Sequence, residues 1–254
     1  MLVKDPQTTS TSERPRVILL AAGQGKRMQA LGGDLPKSLL PVKGEPFAVR
    51  LVRQAVEHGA GEIVVVVGYQ HERVQAAIAP HFPQTRFVLN EGFADDINIG
   101  SLSLALAGDL RPFHVVEADI YLDDACWDVL FDPADRARSV WYTRGPFLST
   151  QLGGILATDA EGRLTDLRIV PSWEPRYAGY HKLVGVTKVG PNELEHYAEL
   201  LFAARARSSK QYYLQPWIDC LPELPAYGRD LGAVGAVSVN TPEEYLAMRA
   251  ALDD

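Results

Sequence analysis

Val17-Ile18-Leu19-Leu20-Ala21-Ala22-Gly23-Gln24-Gly25-Lys26-Arg27-Met28 passes from an unbroken apolar run, through a turn of small residues, to two adjacent cations. A short apolar run without polar alternation is the pattern of a strand buried on both faces, as in a parallel sheet. The glycines after it let the backbone turn sharply and approach a ligand with no Cβ in the way. A strand that feeds such a turn presents backbone N–H groups to a chain of phosphates. Downstream, Leu35-Pro36-Lys37-Ser38-Leu39-Leu40-Pro41 adds a third cation at the end of the same loop. The spacing is neither that of a P-loop nor that of the dinucleotide G-x-G-x-x-G turn. A tight turn with solvated lysines is the plain alternative, and the two basic clusters weigh against it.

Residues 46–59 carry apolar side chains at Phe47, Val49, Leu51, Val52, Ala55 and Val56, the spacing of an amphipathic helix. Gly59 stands where a C-terminal cap belongs. Residues 63–67 (IVVVV) predict a second buried strand, 72–78 a short helix, 86–89 a third strand, 101–110 a helix and 113–116 a fourth strand. Strands alternating with helices imply right-handed crossovers and helices on both faces. The fold class is α/β: a doubly wound, mostly parallel, Rossmann-like sheet whose ligands bind beyond the carboxyl ends of its strands. After about residue 123 the pattern changes to strands at 152–158, 164–170 and 183–189, a helix at 193–206, a strand at 234–239 and a closing helix at 242–252. Asp159-Ala160-Glu161-Gly162 marks a hairpin turn, and Pro242-Glu243-Glu244 suits a helix start. One domain over 15–254 is expected, with a nucleotide-binding half at 15–122 and a mixed α/β acceptor-binding half at 123–254.

A chain of 254 residues, 46% hydrophobic, buries a core of this size without staples, and two cysteines make no disulfide framework. The net charge of −7 argues against a duplex-binding protein that works by neutralising phosphates, so no nucleic acid is expected. No apolar run approaches the roughly 20 residues that span a bilayer, and no membrane partner is expected. Residues 1–14 are polar and read as a disordered leader without a signal segment, so the expected location is the cytoplasm. A homodimer is compatible with the sequence.

The first loop resembles the signature of nucleotidyltransferases that carry an LAAGxGxRM…PKxLL loop, a family that includes sugar-1-phosphate nucleotidyltransferases and bacterial choline-phosphate cytidylyltransferases. Val67-Gly68-Tyr69-Gln70-His71-Glu72, Asn90-Glu91 and Asn98-Ile99-Gly100-Ser101-Leu102 look like the choline-phosphate branch. Val116-Glu117-Ala118-Asp119-Ile120 looks like the family's metal-binding strand end. The likeness runs over residues 16–252. It implies a nucleotide site at Leu20, Ala21, Ala22, Gly23, Gln24, Gly25, Tyr69, Asn90, Asn98, Gly100 and Ser101, with CTP preferred to UTP on the branch resemblance. It implies a catalytic set of Lys37, Lys26 and Arg27, and Mg²⁺ held by Asp119 and Asn240. Lys26 and Arg27 would face the β- and γ-phosphates, while Lys37 would bridge the α-phosphate and the acceptor. Relatives often carry Asp where this chain has Asn240, and an amide oxygen binds Mg²⁺ without adding charge. The plain alternatives are helix capping for Asp119 and Asn240, an Asx turn for Asn90, and loop structure for Tyr69 and Gln70. Asp123 or Asp124 can take the first of these roles.

The second half concentrates aromatics at Trp141, Tyr142, Trp173, Tyr177, Tyr180, Tyr212, Tyr213 and Trp217. A quaternary ammonium would be held by such rings through cation–π attraction beside a carboxylate such as Glu174. The candidate acceptor residues are Trp141, Trp173, Glu174, Tyr180, Lys182, Tyr212 and Tyr213, with core or lid packing as the plain alternative for the aromatics. Lys182, Lys210, His181 and Arg176 speak against choline and suit a hydroxyl, amine or carboxylate tail, as on a phosphonate. His114 has no partner at zinc spacing and reads as a strand residue. No nucleophile elbow or Ser-His-Asp order is present. The expected reaction is transfer of CMP from CTP to a small phosphorylated or phosphono acceptor, with pyrophosphate released. The alternatives are a sugar-1-phosphate nucleotidyltransferase and, from another class, a non-catalytic nucleotide sensor.

Overall fold

The computed structural model describes residues 14–31, 34–232 and 235–252. The expected leader lies outside them except for Arg14, as does Val234 of the expected strand at 234–239. The first half runs β1 (Arg16–Ala21), a short hairpin of β2 (Pro41–Val42) and β3 (Glu45–Pro46), α1 (Phe47–Glu57), β4 (Glu62–Val67), α2 (His71–Ile78), β5 (Arg86–Leu89), α3 (Ile99–Leu106), β6 (Phe113–Glu117), β7 (Ile120–Leu122) and α4 (Asp124–Leu130). The second half continues with β8 (Val140–Pro146), β9 (Gly153–Thr158), β10 (Leu164–Val170), β11 (His181–Val189), α5 (Leu194–Arg207), α6 (Gln215–Cys220), β12 (Tyr227–Asp230), β13 (Ala236–Ser238) and α7 (Pro242–Ala251).

β1 lies at the middle of a parallel set, with β6 on one side and β4 then β5 on the other. Successive side chains of a strand point to opposite faces, which accounts for the unbroken apolar runs. Val17, Leu19 and Ala21 pack with Leu51, Val52 and Trp127 on one face. Ile18, with Val64 and Val66, packs against Leu102, Leu106 and Trp217 on the other. Helices therefore cover both sides, as the doubly wound reading requires. The second half adds its strands to the same sheet in antiparallel sense. β11 pairs with β6 through residues 186–189 and, beyond Gly185, with β9 through His181 and Lys182. Gly185 has φ +87°, a conformation that glycine adopts readily, and it marks where the strand passes from one partner to the next. β8 flanks β11 on its other side, and β12 runs parallel to β8.

Most expected elements stand within a few residues of their predicted limits. The helix expected at 101–110 is shifted, because Asp96 starts it early and Gly108, at φ +78°, follows its end. β8 was not foreseen. Its Val140-Trp141-Tyr142-Thr143 core reads as an aromatic cluster in sequence, yet it is a strand fully buried on both faces. Cys126 is buried against Gly235, and Cys220 is only partly covered, so the two form no disulfide.

Candidate active site

The carboxyl ends of β1 and β6 meet at a cleft. Ala118 N donates to Leu20 O at 3.1 Å, which holds Asp119 just beyond the end of β6 beside the glycine loop. Gly25 has φ +62°, and a Cβ built on it would lie 2.7 Å from the Lys37 Cβ. The glycine thus lets the loop lie directly on Lys37. Pro36 opens a short 3₁₀ turn over Lys37–Leu39 that buries the lysine stem and delivers its Nζ to Asp119 Oδ2 at 2.6 Å. Lys37 and Asp119 stand 82 residues apart in sequence and form the polar centre of the cleft.

Asn240 arrives from the other side. β13 pairs with β7, and Val239 N donates to Asp119 O at 3.0 Å, so the next residue, Asn240, faces the same cleft. The capping of α7 falls to Thr241, whose hydroxyl accepts from Glu244 N while Glu244 reaches back in a capping box. That leaves the Asn240 side chain free of the helix, with its Oδ1 3.4 Å from Arg27 Nη2. Likewise Asp123 and Asp124 are engaged by Tyr121 and Gln54, and Asp119 caps nothing.

A cavity of about 300 Å³ fills this cleft. Of the expected nucleotide and catalytic residues, Leu20, Ala21, Ala22, Gly23, Gly25, Arg27, Lys37, Asn98, Ser101, Asp119 and Asn240 line it. Lys26 and Gln24 belong to the loop but do not reach the cavity wall; Lys26 is exposed. Tyr69 stands outside, donating from its hydroxyl to Asp34 Oδ1 at 2.5 Å. Asn90 is buried and spends both amide hydrogens, on Asp96 Oδ2 (2.8 Å) and Ser101 Oγ (2.9 Å). Asp96 in turn accepts from Gly100 N and Ser101 N. A Cβ at Gly100 would sit 2.9 Å from that carboxylate, so the glycine serves the cap of α3.

A second cavity of about 180 Å³ adjoins the first and shares Arg27, Glu117, Tyr212 and Asn240 with it. Trp141, Lys182, Tyr212 and Tyr213 of the expected acceptor set line it. Trp173, Glu174 and Tyr180 do not. Trp173 and Tyr180 pack with Phe147 and Tyr177 in a separate small core, and the Tyr180 hydroxyl donates to Asp166. Glu174 pairs with Arg176 on the surface. Trp141 is stacked on Tyr213 at an interplanar angle of 4° and meets the edge of Trp217 at 5.5 Å, so its ring is packed by neighbours. No aromatic cage is assembled among the described residues.

Two further features escaped the sequence reading. Glu117 lines both cavities, and its carboxyl is raised well above the usual range, first by burial and then by the neighbouring Asp119. Lys37 and Lys182 oppose that shift. Its place at the last position of a strand, two residues before Asp119, was the available signal, and both acids line the first cavity. The second feature is a strap. Ile97 N and Ile99 N donate to Ser209 O and Gln211 O, Ser209 Oγ donates to Asp95 O, and Tyr213 N donates to Asn98 Oδ1 at 2.8 Å. Loop 95–99 of the first half is thereby sewn to segment 209–213 of the second.

A metal ion here would find oxygen donors only. Asp119 keeps Oδ1 while Oδ2 receives Lys37, and Asn240 adds an amide oxygen. No cluster of three His, Cys, Asp or Glu ligands occurs among the described residues. Few protein ligands, all oxygen, with phosphates and water completing the shell, is the donor set that Mg²⁺ accepts.

A family model described as the MobA-like NTP transferase domain matches residues 17–159, more than half of the chain. The bifunctional protein GlmU of Anaeromyxobacter dehalogenans is 45% identical over 151 residues, covering 58% of this chain and 30% of that protein. The 2-aminoethylphosphonate cytidylyltransferase of Lancefieldella rimae is 30% identical over 136 residues, covering 53% of each chain. The matched stretch thus spans about half or less of these curated relatives. The solved structure of a CTP:phosphocholine cytidylyltransferase from Streptococcus pneumoniae superposes with a TM-score of 0.75 at 24% identity, over 94% of this chain and 99% of that one. That likeness speaks to the fold, and it extends the agreement past residue 159 into the antiparallel half. With its glycine loop, Lys37 and Asp119 all inside the matched stretch, the chain belongs to the MobA-like NTP transferase domain family.

Proposed function

We propose that this chain is a cytidylyltransferase that transfers CMP from CTP to an anionic oxygen of a small phosphorylated or phosphono acceptor. The observation that carries the reading is the 2.6 Å contact of Lys37 with Asp119 in the first cavity, which shares Arg27, Glu117 and Asn240 with the second. An acceptor oxygen forms a bond to the α-phosphorus, the bond from that phosphorus to the α–β bridging oxygen breaks, and pyrophosphate leaves with the electron pair. The acceptor oxygen is ionised at neutral pH, so no general base is required. Positioning and charge stabilisation then account for catalysis.

Each group has one task. Backbone N–H groups of the 22–25 loop hold the triphosphate. Arg27 faces the departing pyrophosphate, and Lys37 stabilises charge that grows between the α-phosphate and the acceptor. Asp119 and Asn240 would hold Mg²⁺, which supplies positive charge to the phosphate oxygens when bound. Support for CTP comes from the 2-aminoethylphosphonate cytidylyltransferase among the relatives. A second reading, transfer to a sugar 1-phosphate, draws on a probable UDP-N-acetylglucosamine pyrophosphorylase of Acanthamoeba polyphaga mimivirus, 38% identical over 78 residues.

The test is pyrophosphate release with Mg²⁺ and each nucleoside triphosphate, against phosphocholine, aminoethyl- and hydroxyethylphosphonate and glucose 1-phosphate. Release with CTP and a phosphocholine- or phosphonate-type acceptor supports the reading. Release with UTP and glucose 1-phosphate alone replaces it with the second.

A further inference from the structure

We infer that the second cavity binds the tail of the acceptor through Lys182, and that this tail ends in an anionic oxygen, a carboxylate above all, rather than in a quaternary ammonium. The inference rests on the cytidylyltransferase reading and names the acceptor more closely. Lys182 is 8% exposed, and its ammonium lies inside the protein at the cavity wall. Two of its three hydrogens go to main-chain carbonyls, Gly154 O at 3.1 Å and Leu183 O at 3.3 Å. Among the described residues no carboxylate stands within the 4.0 Å of an ion pair. Glu117 and Glu244 act on it only from further away. A buried charge without a partner is costly and is retained where something else pairs with it. Here one donor is left over in a cavity that opens onto the phosphate cleft.

The wall beside Lys182 leaves room for an incoming oxygen, while Glu117 stands on the same cavity. Gly153, at φ +95°, lies alongside the ammonium, where an added Cβ would come within 3.5 Å of Nζ. Gly154 also lacks a side chain, because a Cβ there would meet Leu183 at 2.7 Å. Gly153 therefore leaves the space beside the Lys182 ammonium free of a side chain. The cavity, about 180 Å³, has room for a tail of only a few heavy atoms. Choline fits none of this. A trimethylammonium group offers no acceptor for the spare N–H and is repelled by the lysine. The cage that would hold it is missing, since Trp173 and Tyr180 pack elsewhere and Trp141 is covered by Tyr213 and Trp217. Burial lowers the lysine to about 8, which still leaves it mostly charged at neutral pH.

The experiment compares 3-phosphonopropionate, 2-aminoethylphosphonate and phosphocholine in pyrophosphate release with CTP, in the wild type and in Lys182→Met. A charge-assisted contact of this kind is worth about 10- to 100-fold. The expected result is a kcat/KM for 3-phosphonopropionate at least about tenfold above the other two, lost in Lys182→Met through KM. The CTP Kd and melting curve of the variant confirm that it is folded. Phosphocholine as the best substrate, or an unchanged preference in Lys182→Met, overturns the inference. If no acceptor turns over, calorimetric binding of 3-phosphonopropionate to the CTP-loaded protein decides the matter. Binding that vanishes in Lys182→Met upholds the tail site, and absence of binding overturns it. Failure of the protein to bind CTP overturns the cytidylyltransferase reading instead.

Discussion

Replacing Lys37 with alanine removes one ammonium from a contact of 2.6 Å. Its side chain is 10% exposed and that of Asp119 27%, so the pair is neither fully buried nor at the surface. Breaking a wholly buried pair costs about 3–5 kcal/mol and an exposed one about 0–1 kcal/mol. About 1–3 kcal/mol is therefore expected here, which lowers Tm by roughly 2–10 °C for a chain of this size. The chemical loss is larger. On the proposed reaction Lys37 faces the charge that develops, and removal of one such donor costs on the order of 10²–10³ in kcat. Pyrophosphate release should thus fall by at least about 10² while calorimetry still shows a cooperative transition and CTP still binds. Added propylamine matches the atoms removed from the lysine and should restore part of the rate. Turnover within about threefold of wild type would remove Lys37 from the reaction and reduce its contact with Asp119 to a structural one.

Gly185→Ala should lower urea-unfolding stability by about 1–3 kcal/mol, because a Cβ at φ +87° is strained and meets Glu117 Oε2 at 2.9 Å; an unchanged midpoint would refute both the backbone strain and the contact. Asn240→Asp adds a charge to the expected Mg²⁺ ligands, so half-saturation of turnover should occur at lower Mg²⁺. A higher requirement would place Asn240 outside the metal shell. His114 is buried against Leu130 O and lowered to about 4 from 6.5, first by desolvation and then by Lys188. A lowered histidine binds its proton more readily in the unfolded chain, so its contribution is present above about 6.5 and lost as the pH falls towards 4, up to about 3 kcal/mol. His114→Asn should flatten the loss of stability between pH 7 and 4.5, as read from denaturant midpoints.

The parallel half was legible because its signals are local. An unbroken apolar run, a glycine turn and a helix of regular spacing each occupy a few consecutive residues, and β1, α1 and β4 stand where those patterns fall. The Lys37 and Asp119 positions were legible for the same reason, each following a recognisable strand or turn. What stayed hidden depends on distant residues. Trp141 and Tyr213 lie 72 positions apart in the chain and stack face to face, so no window shows that they close a core rather than a cage. Asn90 looks like a base reader until Asp96 and Ser101 take both of its hydrogens. Lys182 was legible only as a cation. Its want of a carboxylate partner is a property of the surrounding strands, which no stretch of sequence near it displays.

The four hydrogen bonds between loop 95–99 and segment 209–213 give the two cavities a common doorframe. One jamb carries Asn98 on the first cavity, and the other carries Tyr212 on both cavities and Tyr213 on the second. Neither jamb swings alone without breaking the stitches. An evolutionary or engineered lengthening of 209–213 that reshapes the second cavity would therefore be felt in the first as well. Changes at Gly153, Gly154 or Lys182, which take no part in those hydrogen bonds, leave that frame intact.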